Sequence, residues 1–201
     1  YSGNSQIVYR RSFDARTLDE NVNMAISMAS GEYVWVFGDD DLIGEDFLAE
    51  LITYLDSSSP DILILNSCSF QEKGLVEASR LSLDVLKTYG PNDNDAFMTD
   101  LGGYLTYVGC IVIRKSLWTA YFRPEMVGTF FAHLDAVCRA KIGHIAHYLP
   151  RPAIKMRLHM QTWTAKHFEI WNIFFSEVIW ELDNYSLQAK KSVIQRYPLK
   201  S

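Results

Sequence analysis

A chain of 201 residues, 48% hydrophobic and 21% charged, can bury one substantial core and has the composition of an ordinary globular domain. Its formal net charge of −5 excludes a general nucleic-acid binder, which would carry a basic footprint. No apolar run reaches the roughly eighteen residues that a bilayer demands and no secretory leader opens the sequence, so the expected location is the cytoplasm.

In chain order, residues 6–10 read as a strand and 18–29 as a helix. In that helix Val22, Ala25, Ile26 and Ala29 recur at helical spacing before Gly31 stops it. The apolar run YVWVF, 33–37, reads as a buried strand, and GEDFLAELITYL, 44–55, as a helix with Phe47, Leu48, Leu51, Ile52 and Leu55 on one face. Between them stand three successive carboxylates, Asp39, Asp40 and Asp41. Like charges at a strand end repel unless a cation neutralises them. A hard divalent ion such as Mg²⁺ or Mn²⁺ takes oxygen ligands and shares its open positions with substrate phosphates. In an extended segment alternate side chains point the same way, which favours Asp39 and Asp41 as the ligands over Asp40 and Asp41. Asp40 then turns toward backbone or sugar hydroxyls. The plainer alternative is an acidic loop that caps the next helix.

Beyond the SSSP break at 57–60, DILILNSCSF forms a second strand. Residues 71–95, with GPNDND, read as a mobile loop, either a connector or a lid that orders on ligand binding. A short helix at 95–101, a strand at 107–118 and a helix at 128–140 follow. Segment 144–163 gives strand, Pro-marked turn, strand and a polar exit. His144 and His147 face opposite sides of such a strand and cannot share a metal. The helix 167–182 carries Phe168, Trp171, Phe175, Val178 and Leu182 on one stripe and Glu169, Glu177 and Glu181 opposite. That suits packing on the core or on a dimer partner rather than on an anionic membrane. Lys190, Lys191, Arg196 and Lys200 make a basic tail, which suits either solvent or peripheral contact with anionic lipid. Cys68, Cys110 and Cys138 lie far apart in apolar sequence and are expected reduced and buried.

The stretch ENVNMAISMASGEYVWVFGDDDLIGEDFLAELITYL, 20–55, resembles the middle of a family 2 glycosyltransferase with the GT-A fold, nearest in pattern to abequosyltransferase-like members that assemble bacterial O-antigen. The resemblance implies an α/β fold, a Rossmann-like mixed sheet flanked by helices over 1–163, followed by a helical C-terminal extension with the basic tail over 164–201. It also implies a DxD-type acidic motif that holds Mg²⁺ or Mn²⁺ on the diphosphate of a nucleotide-sugar donor, with transfer to a hydroxyl of a glycan or polyprenyl-linked acceptor and inversion at the anomeric carbon. Asp39, Asp40 and Arg157 would contact the donor diphosphate. Asp39, Asp41 and His159 would hold the metal, His159 serving the phosphate as its alternative, with Trp163 packing over their loop. Gly109 would lie under the acceptor, or merely mark a bulge. Asp135 would be the base that deprotonates the acceptor, with His133 as rival or helper; without the resemblance, Asp135 suits the first turn of its helix.

This sequence departs from the family pattern in two places. Gly38 stands where an Asp is common, and the strand–helix–strand portion that carries base and ribose contacts is not visible, so the residues look like a piece lacking it. Two rival functions therefore stand beside the transferase. One is a metal-dependent nucleotidyl or phosphoryl transferase, although no Gly-rich phosphate loop is present. The other is a truncated, non-catalytic GT-A module that binds a glycan or partner.

Overall fold

The structure, a computed structural model, describes residues 4–11, 16–71, 74–158 and 166–196. Helix α1, Leu18–Met28, starts at a capping box in which the Thr17 hydroxyl accepts from the Glu20 amide and the Glu20 carboxylate accepts from the Thr17 amide. Strand β1, Tyr33–Trp35, leads through the acidic corner to the two-residue β2, Leu42–Ile43, and then to α2, Phe47–Ser58, which ends on Ser59 in the left-handed region. Strand β3, Ile62–Gln71, is the spine of the sheet, and β4, Gly74–Glu77, and β5, Lys87–Tyr89, follow it. Then come α3, Asn94–Leu101, β6, Ile111–Arg114, α4, Lys115–Tyr121, α5, Ala132–Lys141, and β7, Ala146–Arg157. The C-terminal part holds α6, His167–Glu169, a π turn at Ile170–Phe174, α7, Phe175–Trp180, and α8, Leu187–Val193.

Among the described residues the strands form one mixed sheet of order β1-β6-β3-β7-β2, with β4 added to β3 and β5 to β7. Strands β3 and β7 run parallel in two stretches, Leu65 opposite Leu149 and then Ser67 opposite Ile154. The extra residues of β7 bulge out between them and carry Pro150 and Pro152, which cannot donate to a ladder. Ile62, Leu63, Ile64 and Leu65 are all 0% exposed because both faces of the sheet are covered. Ile62 and Ile64 point into the larger core with α1, α3, α5 and α7, while Leu63 and Leu65 point toward Phe47 and Leu51 of α2. Each such side chain contributes roughly 1.5–3 kcal/mol on burial.

Several expectations are corrected. Residues 6–10 form no strand; Ile7, Val8 and Tyr9 are exposed in irregular chain. The expected loop 71–95 contains β4 and β5, short edge pieces that take strand form from the partners they pair with. The expected strand 107–118 is a 3₁₀ turn at Val108–Cys110, then β6, then α4, because only Ile111–Arg114 finds a sheet partner and Leu117, Trp118 and Tyr121 have helical spacing. The helix expected from 128 begins at Ala132, since Gly128 and Phe130 both hold positive φ, 97° and 68°. In the last long helix the π turn shifts the inward stripe, so that Phe168 is exposed while Ile170, Phe175, Val178, Ile179 and Leu182 enter the main core. The boundary placed at 163 lies outside the described residues. No helix among the described residues is long and apolar enough to cross a membrane.

A cleft between an acidic corner and an aromatic wall

Gly38 explains the shape of the acidic corner. A Cβ built there would stand 2.9 Å from Asp40 Oδ1 and 3.2 Å from Asp41 Oδ2, so a side chain would push both carboxylates away. Residues 39–40 form a turn rather than an extended strand. The alternation that favoured Asp39 with Asp41 is therefore lost: Asp39 is exposed outside the cleft, whereas neighbouring Asp40 and Asp41 both line it.

Asp41 is the better supported of the two. Its Oδ2 accepts the Tyr107 hydroxyl at 2.6 Å and its Oδ1 accepts the Arg157 backbone N–H at 3.1 Å. Burial pushes its carboxyl above the ordinary range, against the opposing pull of those two bonds. Tyr107 is itself pushed far up, by burial first and by Asp41 second, so it remains a donor. Gly109 makes this contact possible, because a Cβ on it would lie 2.6 Å from the Tyr107 phenol end. It is buried behind that ring, its carbonyl accepting from Trp35 Nε1 at 2.7 Å, and it does not line the cleft; the expected acceptor contact is corrected accordingly.

The cleft has a volume of about 360 Å³, in the range of small-molecule sites. Two arginines enter it. Arg157, at the end of β7, stacks its guanidinium 5.6 Å from the Phe70 ring centre. Arg80 is tied by its N–H to Ser67 O at 2.8 Å and by its guanidinium to Met156 Sδ at 2.8 Å. Nothing in the sequence marked Arg80, a single basic residue in a polar run. The apolar part of the wall includes Leu18, Phe130, Phe131, Ile170 and Trp171, with Phe131 packed 5.6 Å from Trp171 and 5.2 Å from Phe175.

Neither candidate base opens onto this cleft. Asp135 is 0% exposed; Arg123 grips it at 2.9 and 3.0 Å and Arg139 at 2.9 Å, and Arg123 continues to Glu181 at 3.2 Å. A carboxylate so neutralised and enclosed ties α5 to the C-terminal helices and cannot meet an acceptor hydroxyl. His133 is 2% exposed, with Nε2 donating to Leu105 O at 3.1 Å, immediately behind the cleft residues Tyr104 and Thr106. Burial depresses its pKa, with the Asp19 charge opposing, so the ring is neutral.

Two carboxylates with open positions fit the protein share of a Mg²⁺ or Mn²⁺ sphere whose other ligands are phosphate and water. Among the described residues no group of three or more His, Cys, Asp or Glu converges. His159 and Trp163 lie outside the described residues, as does Lys200. His147 Nδ1 meets the Tyr54 hydroxyl at 2.8 Å, and His144, which precedes β7, bonds Ile142 O at 3.2 Å. The basic tail loses a member too: Lys190 is buried, with its ammonium on Trp180 O at 3.2 Å. Cys68, Cys110 and Cys138 are free and buried, and burial pushes the Cys110 and Cys138 thiols up.

Similar proteins put this geometry in context. Abequosyltransferase RfbV of Salmonella typhimurium (strain LT2) is 31% identical over an alignment of 169 residues that covers 77% of this chain and 50% of that protein. The chain thus spans about half the length of this curated relative. The crystal structure of S. aureus TarS 1-349 is similar with a TM-score of 0.54 at 16% identity, over 87% of this chain and 48% of that one. Its complex with UDP gives 0.53 at 15%, over 85% and 47%. At such identity the likeness concerns the fold alone, an α/β GT-A sheet with flanking helices. The sequence pattern of glycosyl transferase family 2 matches residues 2–122, more than half of the length and inclusive of the acidic corner, so the chain belongs to glycosyltransferase family 2.

Proposed function

We propose that this chain carries the catalytic cleft of a glycosyltransferase that moves a sugar from a nucleoside-diphosphate donor to a hydroxyl of a glycan or lipid-linked acceptor. The observation that carries the reading is one cleft that holds Asp40 and Asp41, two arginines and an aromatic wall. Asp40 and Asp41 would hold a Mg²⁺ or Mn²⁺ ion, which when bound offsets charge on the leaving diphosphate. Tyr107 and the Arg157 amide orient Asp41 for that task. The Arg80 and Arg157 guanidiniums suit phosphate oxygens. The UDP complex of TarS and the abequosyltransferase name of RfbV support a nucleotide donor and glycosyl transfer. Displacement in one step would invert the anomeric centre and needs a proton acceptor. Of the two candidates His133 is neutral and lies behind Thr106, whereas Asp135 is gripped by two arginines; either would serve only once the wall in front of it is displaced.

A second reading, binding of a sugar nucleotide without turnover, is favoured by one observation: neither His133 nor Asp135 reaches the cleft surface. Calorimetry with UDP, GDP, CDP and dTDP, with and without Mn²⁺, combined with a transfer assay on the corresponding sugar nucleotides, separates the readings. Mn²⁺-linked affinity that Asp40→Asn and Asp41→Asn each reduce at least tenfold, with sugar release to an acceptor, is the expected result. Affinity without transfer selects the binding module, and no nucleotide affinity either in this chain or in a longer one that adds the strand–helix–strand portion refutes both.

A further inference from the structure

Asp19 lies in the first turn of α1, 2% exposed, yet its own helix does not use it. Thr17 and Glu20 already serve the start of α1. The Asp19 carboxylate crosses instead to the segment ahead of α5, where Oδ2 accepts the N–H of Gly128 at 2.8 Å and of Phe130 at 3.0 Å, and Oδ1 that of Ala132 at 3.3 Å. Helix α5 has Phe131 as its N-cap, with no side-chain bond of its own, so its capping charge comes from α1.

What this clamp holds is strained. Phe130 sits at φ 68°, a region a bulky side chain occupies only where the surroundings dictate it. The result is that Phe130, half-buried, borders the cleft that contains Asp40 and Asp41, with Phe131, 2% exposed, packed into the core beside it. Because Asp40, Asp41 and Phe130 line one cleft, one of the two groups attached to a diphosphate at the acidic corner, sugar or nucleoside, would meet the aromatic wall. The C–H face of a sugar ring packs well on such rings.

We infer that Asp19 is a positioning residue, fixing the 128–132 backbone so that Phe130, backed by the core ring of Phe131, forms the face against which the donor's glycosyl group packs. This rests on the transferase reading above. The discriminating quantity is the sugar's own contribution to binding, the ratio of affinities for a sugar nucleotide and its bare nucleoside diphosphate. A role in folding alone would not move it. The ratio is measured by calorimetry with Mn²⁺ on UDP, GDP, CDP and dTDP and their glucosyl, galactosyl or rhamnosyl forms, using whichever pair the wild-type chain binds best.

Asp19→Asn places an amide N–H₂ against three N–H donors. It is expected to leave nucleoside-diphosphate affinity within twofold and to lower sugar-nucleotide affinity at least tenfold. Phe130→Gly provides the second arm, since glycine adopts the left-handed region freely and deletes the ring. Its thermal midpoint should hold or rise while the same sugar contribution disappears. A ratio that survives in folded Asp19→Asn or in Phe130→Gly overturns the inference while the transferase reading stands, as does a parallel loss of both affinities. Should neither the wild-type chain nor a longer one with the strand–helix–strand portion bind a nucleotide, the transferase reading has failed and the inference falls with it.

Discussion

At the scale of single residues, the acidic corner depends on two glycines and a phenol. Tyr107 presses its hydroxyl on Asp41, and Gly109 leaves the space that the ring end occupies. Tyr107→Phe removes a bond to a charged group, and such bonds contribute about 1.5–3 kcal/mol to stability, so the melting temperature should fall by a few degrees and, as Asp41 loses its alignment, Mn²⁺-linked nucleotide affinity by about tenfold. Gly109→Ala should reproduce the loss of affinity through steric displacement of the phenol and lower the melting temperature further. Unaltered affinity in the Gly109→Ala variant would show that the phenol does not steer Asp41. The triplet of carboxylates was legible because clustered like charge after an apolar run demands a counter-ion. Which pair points inward was not, because a turn at 39–40 replaces the alternation of an extended chain. Asp19 was equally hidden: the amides that donate to it lie more than a hundred positions away, and no local spacing encodes them.

Among elements, α5 shows how a motif can be recognised and its chemistry misplaced. Asp135 stands in the first turn of that helix, as read from the sequence, yet both its oxygens are spent on Arg123 and Arg139. Breaking a buried ion pair from one side leaves an uncompensated charge and costs on the order of 3 kcal/mol. Asp135→Asn should therefore lower the denaturation midpoint strongly, while the protein that remains folded keeps its nucleotide affinity; a variant of undiminished stability that has lost only turnover would restore Asp135 as the base. Helices α1 and α2 and strand β3 were readable from their apolar spacing, although the inward stripe is narrower than read: Ala25 of α1 and Leu48 and Ile52 of α2 are exposed. Strands β4 and β5 were not, since pieces such as GLVE and KTY become strands only through pairing with β3 and β7. The π turn at Ile170–Phe174 slides the inward stripe, a shift that 3.6-residue periodicity cannot announce.

Taken whole, the molecule should weaken in mild acid. Burial depresses the pKa of His133, and that of His147, in the fold. As pH falls through their ordinary value of 6.5, the unfolded chain takes up protons that the native one refuses, so stability drops. Asp41, raised in the fold, acts with the opposite sign at lower pH and does not cancel this descent. Denaturant midpoints recorded between pH 7.5 and 5.5 should decline, and His133→Gln should flatten part of the slope; a midpoint that stays level would mean that the imidazole is not enclosed as described.

The three thiols supply a built-in clock for opening. Cys68 sits on β3, Cys110 just ahead of β6 and Cys138 inside α5; the last two are sealed from solvent and Cys68 is 8% exposed. An aromatic disulfide reagent can modify each one only while its neighbourhood is breached, so the order of labelling, resolved by peptide mass, ranks the regional breathing of sheet and helix. Simultaneous modification of all three would reveal a single cooperative unit. Early capture of Cys138 alone would mark the α5 layer, on which the aromatic wall is mounted, as the first part to loosen.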